Sequence, residues 1–179
     1  MTRTLIQPPA VDSTVRHSRY FQFIVDVHLL LISNGDLLLG RRANTGYGDG
    51  AYEPPSGRLA ERETLVEAAV RVAATQMGIA LDPDRVRLAH VLHDVSGAGR
   101  IAFFMTEDLL DGPISTGDGW AGRASGPWDS QYDSPRGSYS DFGWYSLTDL
   151  PANMIDRARV AVRNYAAGAR FSTYPAFGM

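Results

Sequence analysis

The sequence contains neither cysteine nor lysine. Without cysteine, disulfides, thiolate nucleophiles and zinc–sulfur sites are excluded. All 17 basic residues are arginine, so Schiff-base and lysine general-base chemistry are excluded as well. No stretch approaches the ~20 apolar residues that a membrane-spanning helix needs, and residues 1–20 hold no apolar run of signal-peptide length. The sequence therefore predicts a cytoplasmic protein without a membrane partner.

Net charge and chain length narrow the class of protein further. A net charge of -3 leaves no basic footprint for nucleic acid. A chain of 179 residues is long enough for one domain with a substantial core. We expect that domain at 19–179, after an N-terminal arm at 1–18 in which Pro8 and Pro9 oppose a helix. The arm is either a loosely attached tail or a segment that packs on a partner subunit.

The first predicted strands surround a tight turn. Residues 21–32 are rich in β-branched and aromatic types, which favours a strand, and Asn34-Gly35 is a hairpin turn signal before a second strand at 36–39. Alternation places Asp26 and His28 on the same face. They are either a catalytic pair or a satisfied polar pair inside a sheet.

A glycine-rich loop follows at residues 41–50. It carries Arg41, Arg42 and Tyr47, and its arginines are suited to hold a phosphate or carboxylate of a ligand. The alternative is a solvated connection with surface charges.

A helix is predicted from the capping box formed by Thr64 and Glu67 to a C-terminal glycine, Gly78. Glu63, Glu67 and Arg71 follow at intervals of four residues, which predicts a salt-bridged stripe that holds the preceding loop to the helix.

The second half of the chain contains further elements and one long irregular segment. We expect strands at 86–95, 100–106 and 142–146, and a helix at 153–167 that Gly168 closes. Residues 107–140 have little periodicity, and a segment of that length is typical of a functional lid or of partial disorder. Its candidates for an aromatic wall are Trp120, Trp128, Tyr132 and Tyr139.

Residues 57–79, GRLAERETLVEAAVRVAATQMGI, resemble the signature of the Nudix hydrolases. In that pattern a Gly is followed after five residues by Glu, and after seven more by Arg-Glu-apolar-any-Glu-Glu-any-Gly-apolar. Gly57, Glu63, Arg71, Gly78 and Ile79 fall on pattern positions. The segments GYGDGAYEPPSG and GWYSLTDLP look like two further family elements, so the resemblance covers about 21–167.

The resemblance implies an α/β fold: an α/β/α sandwich with a mixed central β-sheet, the motif helix and a C-terminal helix. Family members split a nucleoside diphosphate linked to a second group, using magnesium or manganese. A homodimer is compatible with the resemblance.

The sequence departs from the family pattern at the metal ligands. The three carboxylates that follow the Arg are replaced by Val72, Thr75 and Gln76, and a further frequent Glu position is Ala60. Magnesium and manganese are hard ions that are held largely by carboxylate oxygens. We therefore expect no cofactor, with Mg²⁺ required only if hydrolysis persists with substituted ligands.

Three functions remain open. The first is a diverged, metal-independent enzyme that uses acid/base chemistry on a small organic or nucleotide-like intermediate, in specialised metabolism. The second is a non-catalytic domain that binds or senses a small-molecule ligand. The third is a metal-dependent nucleoside diphosphate hydrolase with substituted ligands, such as Asp94, Asp129 or Asp133.

The candidate residues fall into three groups. Removing carboxylates makes the pocket drier, which raises the pKa of a remaining acid and suits proton transfer. The catalytic candidates are Glu53, His90, His93 and Asp94, followed by His28 and Asp26. The ligand-binding candidates are Arg41, Arg42, Tyr47, Arg58, Val72, Gln76 and Trp144. The architectural residues of the motif are Gly57, Glu63, Glu67, Arg71 and Gly78.

Overall fold

The computed structural model describes residues 22–97, 99–107 and 138–175. The predicted arm and three aromatic residues of the irregular segment, Trp120, Trp128 and Tyr132, lie outside these ranges. So do Asp129 and Asp133. In chain order the elements are β1 Ile24–Leu29, β2 Ile32–Ser33, β3 Asp36–Arg42, β4 Tyr52–Glu53, β5 Ser56–Arg58, α1 Leu65–Val72, β6 Val86–Asp94, β7 Arg100–Glu107, β8 Tyr139–Ser146, α2 Asp156–Ala166 and β9 Phe171–Tyr174.

The larger sheet has five strands in the order β5-β1-β7-β6-β9. Strand β7 runs parallel to β1 and antiparallel to β6, while β9 runs parallel to β6. The smaller sheet is built around β3, which pairs with β2, β4 and β8. The mixed sheet confirms the predicted fold class.

Two apolar cores cover the two faces of the larger sheet. Helix α1 contributes Ala69 and Val72 to a cluster with Val27 and Met105. Helix α2 contributes residues to a second cluster, which includes Phe104. Phe104 and Met105 are neighbours in β7, and successive side chains of a strand point to opposite faces. The arrangement is therefore helix, sheet, helix.

Helix α1 begins at the predicted capping box. The Thr64 hydroxyl accepts from the Glu67 amide over 3.2 Å, and the Glu67 carboxylate accepts from the Thr64 amide over 2.8 Å. Gly78 ends the segment with φ 67°, in the left-handed region that glycine enters at little cost. The last turn, Ala73–Met77, is π-helical, which the sequence pattern did not predict.

Several predicted boundaries are confirmed and others are wrong. The turn at Asn34-Gly35 is present, with φ of 51° and 86°, but the strand predicted at 21–32 is split into β1 and β2. The helix predicted from residue 153 begins only at Asp156. The residues before the helix pair with Tyr52 instead. The Tyr52 amide donates to the Asn153 carbonyl, and the Tyr52 carbonyl accepts from the Ile155 amide. Strand β9 was not predicted.

Among the described residues, no helix combines the length and the apolar character needed to cross a membrane.

Candidate functional site

Three buried polar residues lie on β1 and β4. Asp26 and His28 lie on β1, and Glu53 lies on β4. Their exposed fractions are 7%, 3% and 1%. The sequence alternation places Asp26 and His28 on one face of β1, and both carboxylates act electrostatically on the imidazole of His28. The structure therefore brings together two residues of the predicted pair and one further catalytic candidate.

His28 is a buried imidazole with one nitrogen that has no hydrogen-bond partner. Its ring stacks on Phe104 with the ring centroids 4.7 Å apart. Burial lowers the pKa of His28 below its ordinary value of 6.5, and the Arg157 charge adds to this, although Glu53 and Asp26 oppose it. The buried Nδ1 atom has no hydrogen-bond partner. A neutral imidazole with a free nitrogen has the properties of a proton acceptor.

Glu53 is held by two partners. Arg42 forms an ion pair with its carboxylate, and the Tyr139 hydroxyl donates to Glu53 Oε1 over 3.2 Å. The same hydroxyl accepts from the Ser56 amide over 3.1 Å. Burial, with the charge of Glu53, raises the pKa of Tyr139 well above its ordinary value of 10, so this phenol remains a neutral donor. Tyr139 was predicted only as an aromatic wall residue.

Asp26 is engaged by one arginine. Arg100, on the neighbouring strand β7, forms an ion pair with its carboxylate. Because both partners lie on neighbouring strands of one sheet, the ion pair fixes the position of the Asp26 carboxylate.

The three remaining catalytic candidates lie on β6. His90 is fully buried, and its two ring nitrogens contact the Ala169 carbonyl at 2.9 Å and the Ser172 hydroxyl at 2.7 Å. His93 is half-buried and meets the ring of Phe23 edge-on, with centroids 5.4 Å apart. These contacts engage both imidazoles in packing.

Asp94 ends β6 and is 4% exposed. Its Oδ1 accepts from the Ser96 amide over 2.9 Å and from the Ser96 hydroxyl over 2.5 Å. Both donors are neutral. Arg100 is its cross-strand neighbour, but the ion pair of Arg100 is with Asp26.

Hydrogen bonds from the Arg42 side chain hold the glycine-rich loop in place. Its Nε donates to the Tyr47 carbonyl over 2.9 Å, and its Nη2 donates to the Thr45 hydroxyl over 2.9 Å. Arg41 is exposed, and its Nε lies 3.4 Å from the Gly50 carbonyl. The ring of Tyr47 lies within 5.7 Å of the Arg42 guanidinium and 5.3 Å of the Arg157 guanidinium. Arg42 thus joins the loop to the buried Glu53.

A cavity of about 430 Å³ lies between this loop, the end of β6 and the start of α2. Its volume is in the range of small-molecule pockets. The polar and aromatic side chains that line it are Tyr47, Asp94, Ser96, Asp156, Arg157 and Tyr174. Of these, the sequence predicted Tyr47 for ligand binding and Asp94 for catalysis. Arg157 was missed because no local pattern signals a contact with a residue 110 positions away.

The motif segment has a well-defined ion pair at its centre. Arg71 Nε donates to Glu63 Oε1 over 2.6 Å, and Arg71 Nη2 donates to Glu63 Oε2 over 2.8 Å. The same Nη2 donates to the Arg58 carbonyl over 2.8 Å. This fork joins the loop and strand β5 to α1, and the side chain of Arg58 itself is exposed.

The remaining ligand-binding candidates lie on the α1 side of the sheet. Val72 is fully buried in the α1 core, and half-buried Trp144 packs against the same core. Gln76 is half-buried in the π-helical turn, as is Thr75, whose hydroxyl is buried without a partner. These residues of the α1 side therefore do not line the cavity beside α2.

Solved structures resemble this arrangement. A MutT NUDIX hydrolase from Burkholderia pseudomallei superposes with a TM-score of 0.59 and 20% identity, over 79% of this chain and 97% of that one. A MutT protein from Methanosarcina mazei Go1 gives 0.59 and 17%, over 82% and 94%. The solution structure of the E. coli ORF135 protein gives 0.55 and 16%, over 82% and 91%.

The chain has the Nudix fold. Identities this low show the fold alone. No protein-family model matches the sequence, and no curated protein does.

In Nudix hydrolases the motif helix carries metal-binding carboxylates, as the resemblance implies. Here the corresponding positions hold Val72, which has no donor atom, and two neutral side chains, Thr75 and Gln76. Across 22–97, 99–107 and 138–175, no group of three His, Cys, Asp or Glu residues is placed to hold a metal ion. Hard divalent ions are held largely by carboxylate oxygens, and the side chains at these three positions carry no carboxylate.

Proposed function

We propose that this Nudix-fold chain is a metal-independent enzyme that acts on a small organic or nucleotide-like intermediate by acid/base chemistry, in specialised metabolism. The observation that carries the proposal is the buried Nδ1 of His28, which has no hydrogen-bond partner and lies within electrostatic reach of Asp26 and Glu53. A base of this kind accepts a proton most effectively when its pKa is near or below the working pH.

His28 is the proton acceptor in this proposal. Its Nδ1 takes a proton from a C–H or O–H of the substrate, and the imidazolium returns a proton to another atom of the substrate, as in an isomerisation or cyclisation. The carboxylates of Asp26 and Glu53 stabilise the imidazolium that forms, because opposite charges in a buried site interact strongly. Both carboxylates are fixed by arginine, so they require little reorganisation during the reaction.

Access to Nδ1 requires that neighbouring side chains move, because the atom is buried. Arg157 lines the cavity and its charge acts on His28. It is therefore the neighbour whose displacement would connect the cavity to the base. The π–cation and hydrogen-bond contacts of Arg157 are with the exposed Tyr47, which lies on a loop with several glycines.

Support for the metal-free part of the proposal comes from the donor set of α1. Val72 is part of the core, and Thr75 and Gln76 carry no charge. Neutral oxygens are weak anchors for a divalent ion that dehydrates reluctantly.

A second candidate is a domain that binds or senses a small molecule without turnover. It is favoured by the engagement of Glu53 with Arg42 and Tyr139, and of both His90 nitrogens with the backbone and Ser172. Buried polar groups with internal hydrogen-bond partners are accounted for by a structural role.

The test is incubation of the full chain in D₂O with a panel of small carbonyl compounds and nucleoside diphosphate derivatives, with either EDTA or Mg²⁺. Proton and phosphorus NMR follow conversion, solvent deuterium uptake and nucleotide release. We expect conversion or deuterium uptake in the presence of EDTA. This activity should be lost in His28→Phe and retained in His93→Gln, the control, because the His93 imidazole lies on the opposite face of the sheet. Binding without either signal favours the second candidate. Nucleotide release that requires Mg²⁺ would overturn both.

A further inference from the structure

The cavity beside α2 contains two opposite charges that are not paired with each other. Asp94 is a buried carboxylate whose hydrogen-bond donors are the amide and hydroxyl of Ser96. Arg157 donates to the Tyr47 hydroxyl over 3.2 Å and lies over the Tyr47 ring. Within the described part of the chain, no ion pair includes Asp94 or Arg157.

A buried carboxylate without a cation is unusual. Burial of an ionised group is costly unless a counter-charge and hydrogen bonds compensate it. Arg100, the cross-strand neighbour of Asp94, forms its ion pair with Asp26 instead. Asp156 adds another carboxylate to the lining. The cavity therefore offers more negative than positive charge, and a cationic group is the complement that its wall lacks.

The same wall also offers a cation without an anionic partner. Among the described residues, the hydrogen-bond and cation–π partner of the Arg157 guanidinium is the neutral side chain of Tyr47, although guanidinium groups form their strongest hydrogen bonds with carboxylates and phosphates. A ligand that satisfies the cavity consequently carries charges of both signs. The rest of the lining includes Tyr174, Met154 and Ile155, which suits an apolar or aromatic body.

We infer that this cavity binds a small zwitterion, an amino compound with an ammonium group for Asp94 and a carboxylate for Arg157, of which free amino acids are the simplest class. The inference concerns binding alone and goes beyond the proposed function, because it names what the cavity holds whether or not turnover follows.

The probes are the common free L-amino acids, their N-acetyl derivatives, which lack the cation, and the corresponding decarboxylated amines, which lack the anion. Saturation-transfer NMR with the full chain identifies binders, and calorimetry measures their dissociation constants. We expect at least one amino acid with an apolar or aromatic side chain to bind, and both matched derivatives to bind at least about tenfold more weakly. No binding by any amino acid at millimolar concentration overturns the inference, as does equal binding of the N-acetyl form.

Two variants locate the site. Asp94→Asn retains an oxygen acceptor for the Ser96 turn, and we expect it to weaken binding by about tenfold or more. Arg157→Gln is expected to weaken binding of the amino acid while leaving binding of the decarboxylated amine unchanged. The controls are Asp149→Asn and Arg163→Gln, both at exposed positions.

A purely structural role for Asp94, as the cap of the Ser96 turn, predicts unchanged affinity in Asp94→Asn, and that result overturns the assignment. Thermal unfolding of each variant shows whether it is folded, and the amine comparison in Arg157→Gln remains decisive if Asp94→Asn does not fold. Binding of an amino acid by the wild type, with neither conversion nor deuterium uptake of any compound in the panel, supports this inference and contradicts the proposed function. The zwitterion site and the proposed reaction can therefore be disproved independently of each other.

Discussion

Arg71 forks onto Glu63 with two hydrogen bonds, and both side chains are close to nine-tenths buried, with exposed fractions of 11% and 12%. The pair joins the loop before α1 to the last turn of the helix. Hydrogen bonds between charged groups contribute more than neutral ones, and a buried partner left alone loses further free energy. This fork therefore gives both residues a structural role, because it holds the loop to the helix.

The first prediction concerns this pair. We expect Glu63→Gln to lower the free energy of unfolding at pH 7 by about 2 kcal/mol, since one charged partner is lost. Burial opposes ionisation of Glu63, but the hydrogen bonds from Arg71 and the Ala60 amide, with the Arg71 charge, outweigh it and lower the pKa of Glu63 below 4.5. Its contribution is thus complete above the unfolded-state pKa and is lost as the pH falls through the folded-state pKa.

Urea unfolding at several pH values checks this prediction. The stability difference between the wild type and Glu63→Gln should shrink as the pH falls below about 4.5, toward the folded-state pKa. Glu61→Gln is the control, because Glu61 is exposed and its ion pair with Arg62 is at the surface. A difference that is constant with pH contradicts the assignment of the effect to the carboxylate charge.

The second prediction concerns the ionisation of His28. Burial lowers the pKa of His28 in the folded protein, so the unfolded chain binds a proton more readily. The contribution of neutral His28 to stability is then fully present above the unfolded-state pKa near 6.5. It falls as the pH drops through 6.5 toward the folded-state pKa. We expect His28→Phe, which keeps an aromatic ring against Phe104, to lose less stability than the wild type between neutral and mildly acidic pH.

Urea unfolding over that range measures the effect, and an NMR titration of the His28 ring protons measures the folded-state pKa directly. An apparent pKa at or above 6.5 would show that the two carboxylates outweigh burial, contrary to our expectation.

The third prediction separates His90 from catalysis. We expect His90→Phe to destabilise the fold by about 2 kcal/mol, because the Ala169 carbonyl and the Ser172 hydroxyl each lose a buried partner. His93→Phe, at a half-buried position, should change stability by no more than about 0.5 kcal/mol. Denaturant unfolding compares the two, and unequal losses in the opposite order would show that His93 is the structural residue.

The fourth prediction concerns restoration of the family carboxylates. We expect Val72→Glu to lower the free energy of unfolding by about 3 kcal/mol or more, because it places an unpaired charge in the α1 core. Gln76→Glu, at a half-buried position of the same helix, should be tolerated within about 1 kcal/mol.

Calorimetric titration with Mg²⁺ completes this test. If Val72→Glu is as stable as the wild type and binds magnesium, position 72 is a metal position that simply lacks its ligand, and our interpretation of α1 is wrong.

The motif helix was predictable because its signals are local. Thr64 and Glu67 lie one turn apart, and Gly78 needs only its own backbone freedom to end the helix. The family resemblance then identified the fold, since the spacing from Gly57 to Gly78 is long and specific. Elements that depend on distant partners were harder to predict. Strand β9 has four residues at a sheet edge, and its pairing with β6 leaves no periodic pattern to detect.

The candidate site shows the same limit. Its components come from β1, β4 and α2, and their convergence on His28 results from packing of elements that are distant in sequence. Sequence alternation placed Asp26 beside His28, but it could not show that Glu53 would join them or that Arg157 would line the nearby cavity. Residue type identified the candidates, whereas only the fold shows which of them share a neighbourhood.

The π-helical turn at the end of the motif helix affects how the length of the helix can change. A π-helical turn closes hydrogen bonds from i to i+5, so Ala73–Met77 holds one residue more than an α-helical turn requires. Loss of one residue there can be absorbed by a return to α-helical bonding, with Gly78 still positioned to end the helix. A deletion earlier in α1 would instead rotate Ala68, Ala69 and Val72 out of the core. This turn is therefore the place in the segment where we expect the loss of one residue to be tolerated.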